Sequence, residues 1–280
     1  MVINEQFDTG NHRDGAEYFC RLFQIADAEP SLEHVSTILR NFAVLPYENL
    51  SKILNLNRKW DDNSFRWPYD IIGDYEKYRL GGTCFSLTFF LKTILDHFGY
   101  HTIILMADMK AGKNIHCALL LDFNGREYLL DPGYLLQYPL PLDSSLIIGK
   151  YSLVYDATDD CYALRTIEGN QQKWRYSFRK EATTPDDFRH YWENSFHWMT
   201  MHGICLSKRG EDGFIYLHNH YLKIENANER FKGNIKSDTA ELVRRWFGIP
   251  PEIVRRAEIA LLENLHHDRD LGFQVPKWVK

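Results

Sequence analysis

Residues 79–100, RLGGTCFSLTFFLKTILDHFGY, constrain this chain more than any other stretch. Gly81 and Gly82 predict a tight turn with positive φ, a conformation that costs glycine least. Thr83 is a favourable N-cap. Leu87, Phe90, Leu91, Ile94, Leu95 and Phe98 then recur at helical spacing, and Gly99 supplies a stop signal. The stretch predicts a turn feeding an amphipathic helix with a buried stripe and Cys84 in its first turn. Backbone N–H groups there lack helical partners, and the macrodipole favours an anion. Such a position lowers a thiol's pKa and raises the fraction of thiolate, the form that attacks carbonyl carbon. A structural cysteine buried behind a Gly-Gly turn has the same local signature, so the downstream context decides.

Residues 114–123, NIHCALLLDF, read as an apolar strand with His116 near its start, and Asn124-Gly125 is a strong hairpin signal. The chain returns through residues 126–130 to Asp131. The hairpin allows Asp131 to stand beside His116. Two consecutive antiparallel strands then supply a base and the acid that orients it, while the helix supplies the thiol. Strand alternation turns Cys117 away from His116, toward the core.

Cys84 after a double glycine, His116 opening one strand, and Asp131 closing the next before Pro132-Gly133-Tyr134 resemble the Cys-His-Asp constellation of the arylamine N-acetyltransferase family. Val44-Leu45-Pro46-Tyr47-Glu48-Asn49-Leu50 is similar to that family's Pro-Phe-Glu-Asn-Leu signature. Pro139-Leu140-Pro141-Leu142 and Asn194-Ser195-Phe196 fall where counterparts are expected. The resemblance runs from about Tyr18 to about Ile259. It implies an α+β fold: an N-terminal helical bundle, a central antiparallel β-barrel or sheet, and a C-terminal α/β lid on a cysteine-proteinase-like core. The corresponding domains are 1–99, 100–205 and 206–280.

The resemblance also implies acetyl transfer from acetyl-coenzyme A, a cosubstrate, to an arylamine or arylhydrazine through an acyl-cysteine. Cys84, His116 and Asp131 would be catalytic. Gly112 and Lys113 would approach the pyrophosphate, since glycine permits close backbone approach and lysine neutralises phosphate. Gly133, Tyr134 and Leu135 would shape the substrate pocket. Two departures stand out. The family usually carries arginine before the double glycine and glutamate two places after the cysteine; this chain has Leu80 and Ser86. Losing both members of an ion pair together reads as one coordinated replacement, because a single buried charge left unpaired is costly. Leu135 adds bulk where the family has a small residue. An amide synthase on a carrier-bound acyl chain, a cysteine hydrolase and a ligand-binding homologue of weak activity remain alternatives.

The remaining composition fits these readings. At 280 residues, 44% apolar and 25% charged, the chain can bury a large core. A net charge of −5 gives no basic footprint for nucleic acid. The polar N-terminus lacks the apolar centre of a signal peptide, and no run is long enough to span a membrane. Five cysteines without C-x-x-C spacing read as reduced thiols of a cytoplasmic protein. Residues 15–100 predict mostly helices, with Ser31 capping one, and residues 57–75 an irregular connection whose Trp60, Phe65, Trp67 and Tyr69 either edge a pocket or anchor a loop. Strands follow to about Leu206, broken by a short helix after Thr184, then a hairpin across residues 203–218 and two proline-broken helices over 238–265. His218-Asn219-His220 places two imidazoles on one strand face without a third ligand, which reads as surface histidine rather than metal.

Overall fold

The computed structural model describes residues 5–59, 64–143, 146–169, 171–210 and 213–280. Trp60, among the predicted loop aromatics, lies outside them. Two 3-10 turns, Glu5–Phe7 and Thr9–His12, lead into helices α1 (Arg13–Phe23) and α2 (Leu32–Phe42). Ser31 caps α2 by accepting from His34 N at 3.1 Å, as its position before an apolar stripe predicts. A two-residue strand, β1 (Tyr47–Glu48), precedes α3 (Leu50–Lys59), α4 (Pro68–Tyr78) and α5 (Cys84–His97). The irregular connection predicted over 57–75 is therefore corrected. Pro68 at the first position of α4 starts a helix rather than breaking one, because its missing N–H is an orphan there anyway. Phe65 and Trp67 pack into an aromatic cluster with Phe7, Phe89 and Trp192, whereas Tyr69 is exposed.

Helix α5 is buried on more than the stripe its spacing marked: 11 of its 14 residues are buried. Leu87, Phe90, Leu91, Ile94 and Leu95 join α1, α2 and α4 in one core. Phe85 and Phe89 face the aromatic cluster on the other side.

The turn before α5 also differs from its sequence reading. Neither Gly81 nor Gly82 has positive φ; the left-handed residue is Arg79, at φ 62°. The glycines answer to crowding instead. A Cβ on Gly81 would lie 1.9 Å from the Pro46 carbonyl oxygen, and one on Gly82 would lie 2.4 Å from Ser86 Oγ.

An eight-stranded antiparallel sheet follows: β2 (His101–Met109), β3 (Gly112–Phe123), β4 (Arg126–Leu130), β5 (Leu140–Pro141), β6 (Ile147–Ile148), β7 (Tyr151–Asp156), β8 (Cys161–Glu168) and β9 (Gln171–Phe178), in the order 5-4-3-2-9-8-7-6. Asn124 and Gly125, at φ 53° and 72°, make the β3–β4 turn, as an Asn-Gly pair predicts. The sheet curls around its own core of Leu105, Leu120, Leu129, Leu153, Leu164 and Tyr176.

Helix α6 (Pro185–Asn194), capped by Thr184, crosses to a second sheet. That sheet comprises β10 (Cys205–Gly210), β11 (Gly213–His218), β12 (Tyr221–Asn226) and β13 (Arg230–Asn234), in the order 1-10-11-12-13, so that β1 forms its edge. Asn219 lies in the turn between β11 and β12 at φ 51°, so His218 and His220 do not share a strand. Helices α7 (Thr239–Phe247) and α8 (Pro251–Asp270) close the chain on either side of Pro250. Helix α8 packs on α3, with Asn264 Nδ2 donating to the Ile53 carbonyl at 3.0 Å. Among the described residues, no helix is long and apolar enough to cross a membrane.

Candidate active site

Segment 46–50 positions the nucleophile. Glu48 N donates to the Gly82 carbonyl at 2.9 Å, and Gly82 N returns a 3.3 Å bond to the Pro46 carbonyl. Asn49 fixes the other side: its Oδ1 accepts from Cys205 N at 2.8 Å, and its Nδ2 donates to the Gly203 carbonyl at 2.7 Å. The glycine turn is thus clamped between the first helices and the second sheet, and Cys84 opens α5 at a fixed point.

Beneath this clamp lies a guanidinium that no motif marked. Arg66, 6% exposed, donates from Nη2 to Asp74 Oδ2 at 2.6 Å and from Nη1 to Ser51 Oγ at 2.7 Å and to the Gly81 carbonyl. Its Nη1 stands 3.7 Å from the fully buried carboxylate of Glu48. Leu80 meanwhile packs against α7, α8 and the second sheet. Ser86 accepts from Thr83 N and donates to the Thr83 carbonyl, both at 3.1 Å. Neither position needs a charge, and Arg66 brings one to the turn from a different segment.

The structure brings Cys84, His116 and Asp131 together. Leu119 pairs with Leu130 across the hairpin, so Asp131 follows the last paired residue of β4 and reaches diagonally to His116. His116 Nε2 stands 2.8 Å from Asp131 Oδ2. The same oxygen accepts from the Tyr176 hydroxyl at 2.5 Å, and Oδ1 accepts from Tyr134 N at 2.9 Å. With Nε2 committed to Asp131, Nδ1 of His116 is left for the Cys84 sulfur.

Electrostatics follow from this geometry. Burial by itself would push His116 down, but the Asp131 charge and hydrogen bond, with help from Cys84, carry it up to about 10. Cys84 is held well below the usual thiol range, first by a hydrogen bond from the Cys117 thiol and then, against burial, by His116 and the charge of Lys52. Cys117 is pushed well above that range by burial and by the Cys84 sulfur. The pattern is a thiolate and imidazolium held between a carboxylate and a neutral thiol donor. Strand alternation does send Cys117 into the core, yet the first turn of α5 sits over that face, so both residues reach Cys84.

A cleft of about 1130 Å³ opens on Cys84 and His116 and is walled by Phe85, Tyr134 and Trp198. It continues between the two sheets, past Lys150, Lys173 and Arg175 to Lys223, Arg230 and Lys232. Counting Lys52 and Arg209, five lysines and three arginines line it against one carboxylate, Glu225, among the described residues. That balance opposes the whole chain's net charge of −5. Gly112 and Lys113 belong to β3 rather than to a loop, and neither lines the cleft. Gly133 and Tyr134 do line it; Leu135, 1% exposed at φ 53°, does not.

Lys52 was not marked by any sequence signal, since a lone lysine near the start of a helix ordinarily faces solvent. Here it is 6% exposed. Its Nζ donates to Ser195 Oγ at 2.5 Å and to the Ser195 carbonyl at 3.0 Å, and lies 4.4 Å from the Phe196 ring centroid. Burial drops its pKa to about 7, against the pull of Cys84 and Cys117. Among the described residues, no group of three or more His, Cys, Asp or Glu side chains is placed to hold a metal.

Gly133 touches all three members of the constellation. A Cβ there would lie 2.8 Å from His116 Cε1, 3.2 Å from Cys84 Cβ and 3.3 Å from Asp131 Oδ1. Gly133→Ala is expected to lower turnover about 10- to 100-fold by displacing the ring from the sulfur, while thermal unfolding shifts little. Steady-state turnover and a melting curve check this; unchanged turnover would show that the ring position is not critical.

The N-acetyltransferase family profile matches residues 31–254. Among solved structures, an arylamine N-acetyltransferase of Mycobacterium abscessus superposes with TM-score 0.75 at 15% identity, over 90% of this chain and 97% of that one. The Mycobacterium marinum enzyme, solved in complex with CoA, gives 0.72 at 18%, over 88% and 98%. That of Salmonella typhimurium gives 0.71 at 18%, over 88% and 98%. At such identities the likeness concerns the fold. A search of curated proteins found no match.

Proposed function

The chain belongs to the arylamine N-acetyltransferase family, and from that premise we propose that it transfers acetyl from acetyl-coenzyme A to an arylamine nitrogen by way of Cys84. The observation carrying this reading is the sulfur–imidazole–carboxylate arrangement at the end of a cationic cleft. The Cys84 thiolate attacks the thioester carbonyl carbon, and the backbone N–H of Cys84 at the helix start faces the developing oxyanion. Coenzyme A leaves as its thiol, taking a proton from His116. An arylamine then attacks the acetyl-cysteine; its C–N bond forms as the C–S bond breaks, and His116 accepts the amine proton. Exchange of one thioester for another is nearly isoenergetic, which suits sulfur as the intermediate carrier.

The phosphates of coenzyme A are assigned to Lys150 of the β6–β7 turn, Lys173 and Arg175 of β9, and Lys223, Arg230 and Lys232 of the second sheet, in preference to Gly112 and Lys113. Several cations facing one crevice concentrate a polyanion there.

Incubation with acetyl-coenzyme A should add one acetyl group to Cys84, seen by intact mass and peptide mapping, and an arylamine should remove it. Steady-state kinetics should be ping-pong. Acetylation of Cys117 or Cys205 in place of Cys84 would overturn the assignment.

A further inference from the structure

Strand β1 sends its two side chains to opposite faces. Glu48 is buried beside Arg66, and Tyr47 lines the cleft together with Thr83 and Cys84. The Tyr47 backbone is pinned on both sides: it pairs with Gly82, two residues before the nucleophile, and with Ser207 of β10. Its ring packs against the apolar cluster that holds Cys84, Phe85 and Cys117. The hydroxyl makes no hydrogen bond among the described residues. Of the charges acting on it, Cys84 comes first, ahead of Cys205, Tyr216 and Tyr134, and together with burial they hold the phenol well above its ordinary range. The hydroxyl is therefore a neutral donor at working pH, near the sulfur but not bonded to it. Neighbouring donors are engaged elsewhere. Lys52 is tied to Ser195, and Tyr134 feels Asp131, Arg175 and Tyr151 ahead of Cys84. An unpartnered donor set back from a nucleophile leaves room between them for the oxygen of a carbonyl under attack.

Resting on the acetyl-transfer reading, we propose that Tyr47 is a catalytic residue whose hydroxyl donates to the thioester oxygen, as a second oxyanion donor beside the backbone N–H of Cys84. When the thiolate adds to the carbonyl carbon, the C=O electron pair moves onto oxygen, and the phenol keeps its proton while hydrogen-bonding that oxyanion. Collapse returns the pair to the carbonyl and breaks the bond to coenzyme A, whose sulfur takes its proton from His116. The same oxyanion forms again when the amine attacks acetyl-Cys84, so both half-reactions use the hydroxyl. The donor is this chain's own, since the signature that residues 46–50 resemble has phenylalanine in place of Tyr47.

Tyr47→Phe keeps the ring and its packing and removes only the donor. Acetylation of Cys84 by acetyl-coenzyme A, and removal of the acetyl group by an arylamine, should each slow about 10²-fold, with the melting temperature unchanged. The pH profile of acetylation should fall in height and keep its shape, because the phenol does not titrate in that range. Alkylation of Cys84 by iodoacetamide is a displacement at saturated carbon that forms no oxyanion, so it should proceed at the parent rate. Equal slowing of acetylation and alkylation would mean that Tyr47 acts on the thiol, and unchanged acetylation would leave the hydroxyl without a role; either result overturns the proposal. The burst of p-nitrophenolate from p-nitrophenyl acetate repeats the comparison without coenzyme A. A parent protein acetylated at Cys84 by the ester but not by acetyl-coenzyme A would defeat the transfer reading, while the ratio of parent to Tyr47→Phe on the ester would still decide the oxyanion donor. Acetylation by neither reagent overturns both.

Discussion

Asp131→Asn should lower kcat for acetyl transfer about 10³- to 10⁴-fold, the scale seen when the carboxylate of a hydrolase triad is neutralised. The carboxylate accepts from three donors: His116 Nε2 and the Tyr176 hydroxyl on one oxygen, Tyr134 N on the other. An amide offers one acceptor atom, so either orientation turns an N–H group toward a donor. The ring then loses its partner or takes the wrong tautomer. Asp131 is also the largest influence raising His116 against burial. Without it burial prevails, the imidazole is neutral near pH 7, and Cys84 loses the hydrogen bond and charge that help to hold its pKa down.

The sign of the pH dependence follows. In the parent protein Cys84 lies well below the usual thiol range and His116 at about 10. Alkylation of Cys84 by iodoacetamide should therefore be level through neutral pH and fall only when acid protonates the thiolate. In Asp131→Asn the rate should be low at pH 7 and climb with pH toward the ordinary thiol range. Superimposable alkylation profiles would show that Asp131 does not govern the pair.

Arg66→Met should destabilise the fold by about 3 kcal/mol, because removing one partner of a buried ion pair leaves the other charge uncompensated. Glu48 is fully buried, and burial already raises its pKa against the pull of Arg66 and of the Ser51 hydrogen bonds. The guanidinium also ties the Gly81 carbonyl to Ser51 and Asp74, so its loss loosens the turn that aims Cys84. For a chain of this size the melting temperature should fall by about 6–12 °C. Arg66→Met/Glu48→Gln should recover part of that loss, since it removes the stranded charge. The Lys180–Glu127 pair at 2.7 Å is a contrast: both side chains are more than a third exposed, and breaking it should cost under about 1 kcal/mol. A melting temperature within about a degree of the parent's would refute the role given to Arg66.

Much of the architecture was legible where local chemistry is decisive. Ser31 before an apolar stripe marked the start of α2, Thr184-Pro185 that of α6, and Asn124-Gly125 the hairpin between β3 and β4. Periodicity found α5, whose neighbours bury nearly all of it. Composition misled over 57–75, where polar and aromatic residues concealed α4, because tertiary packing overrides weak local propensity. Strand β12 alternates only across Leu222 and Ile224, with Lys223 and Glu225 between and after them, and β13 has Phe231 as its one large apolar residue, so neither stands out in the sequence, yet they complete the cationic wall of the cleft.

The sequence by itself determined which residues could do the chemistry: a thiol at a helix start, an imidazole in one strand, and a carboxylate just past the next, because each depends on spacing within a few dozen residues. Tertiary structure alone decided what surrounds them. Lys52 and Ser195 lie 143 residues apart in the chain, and Arg66, though only 15 residues from Gly81, belongs to no motif that marks it; their burial and charge exist only once α3, α5, α6 and β1 are packed. Local spacing fixes hydrogen-bonding reach along a helix or hairpin, whereas desolvation is a property of whatever the rest of the chain lays over a side chain.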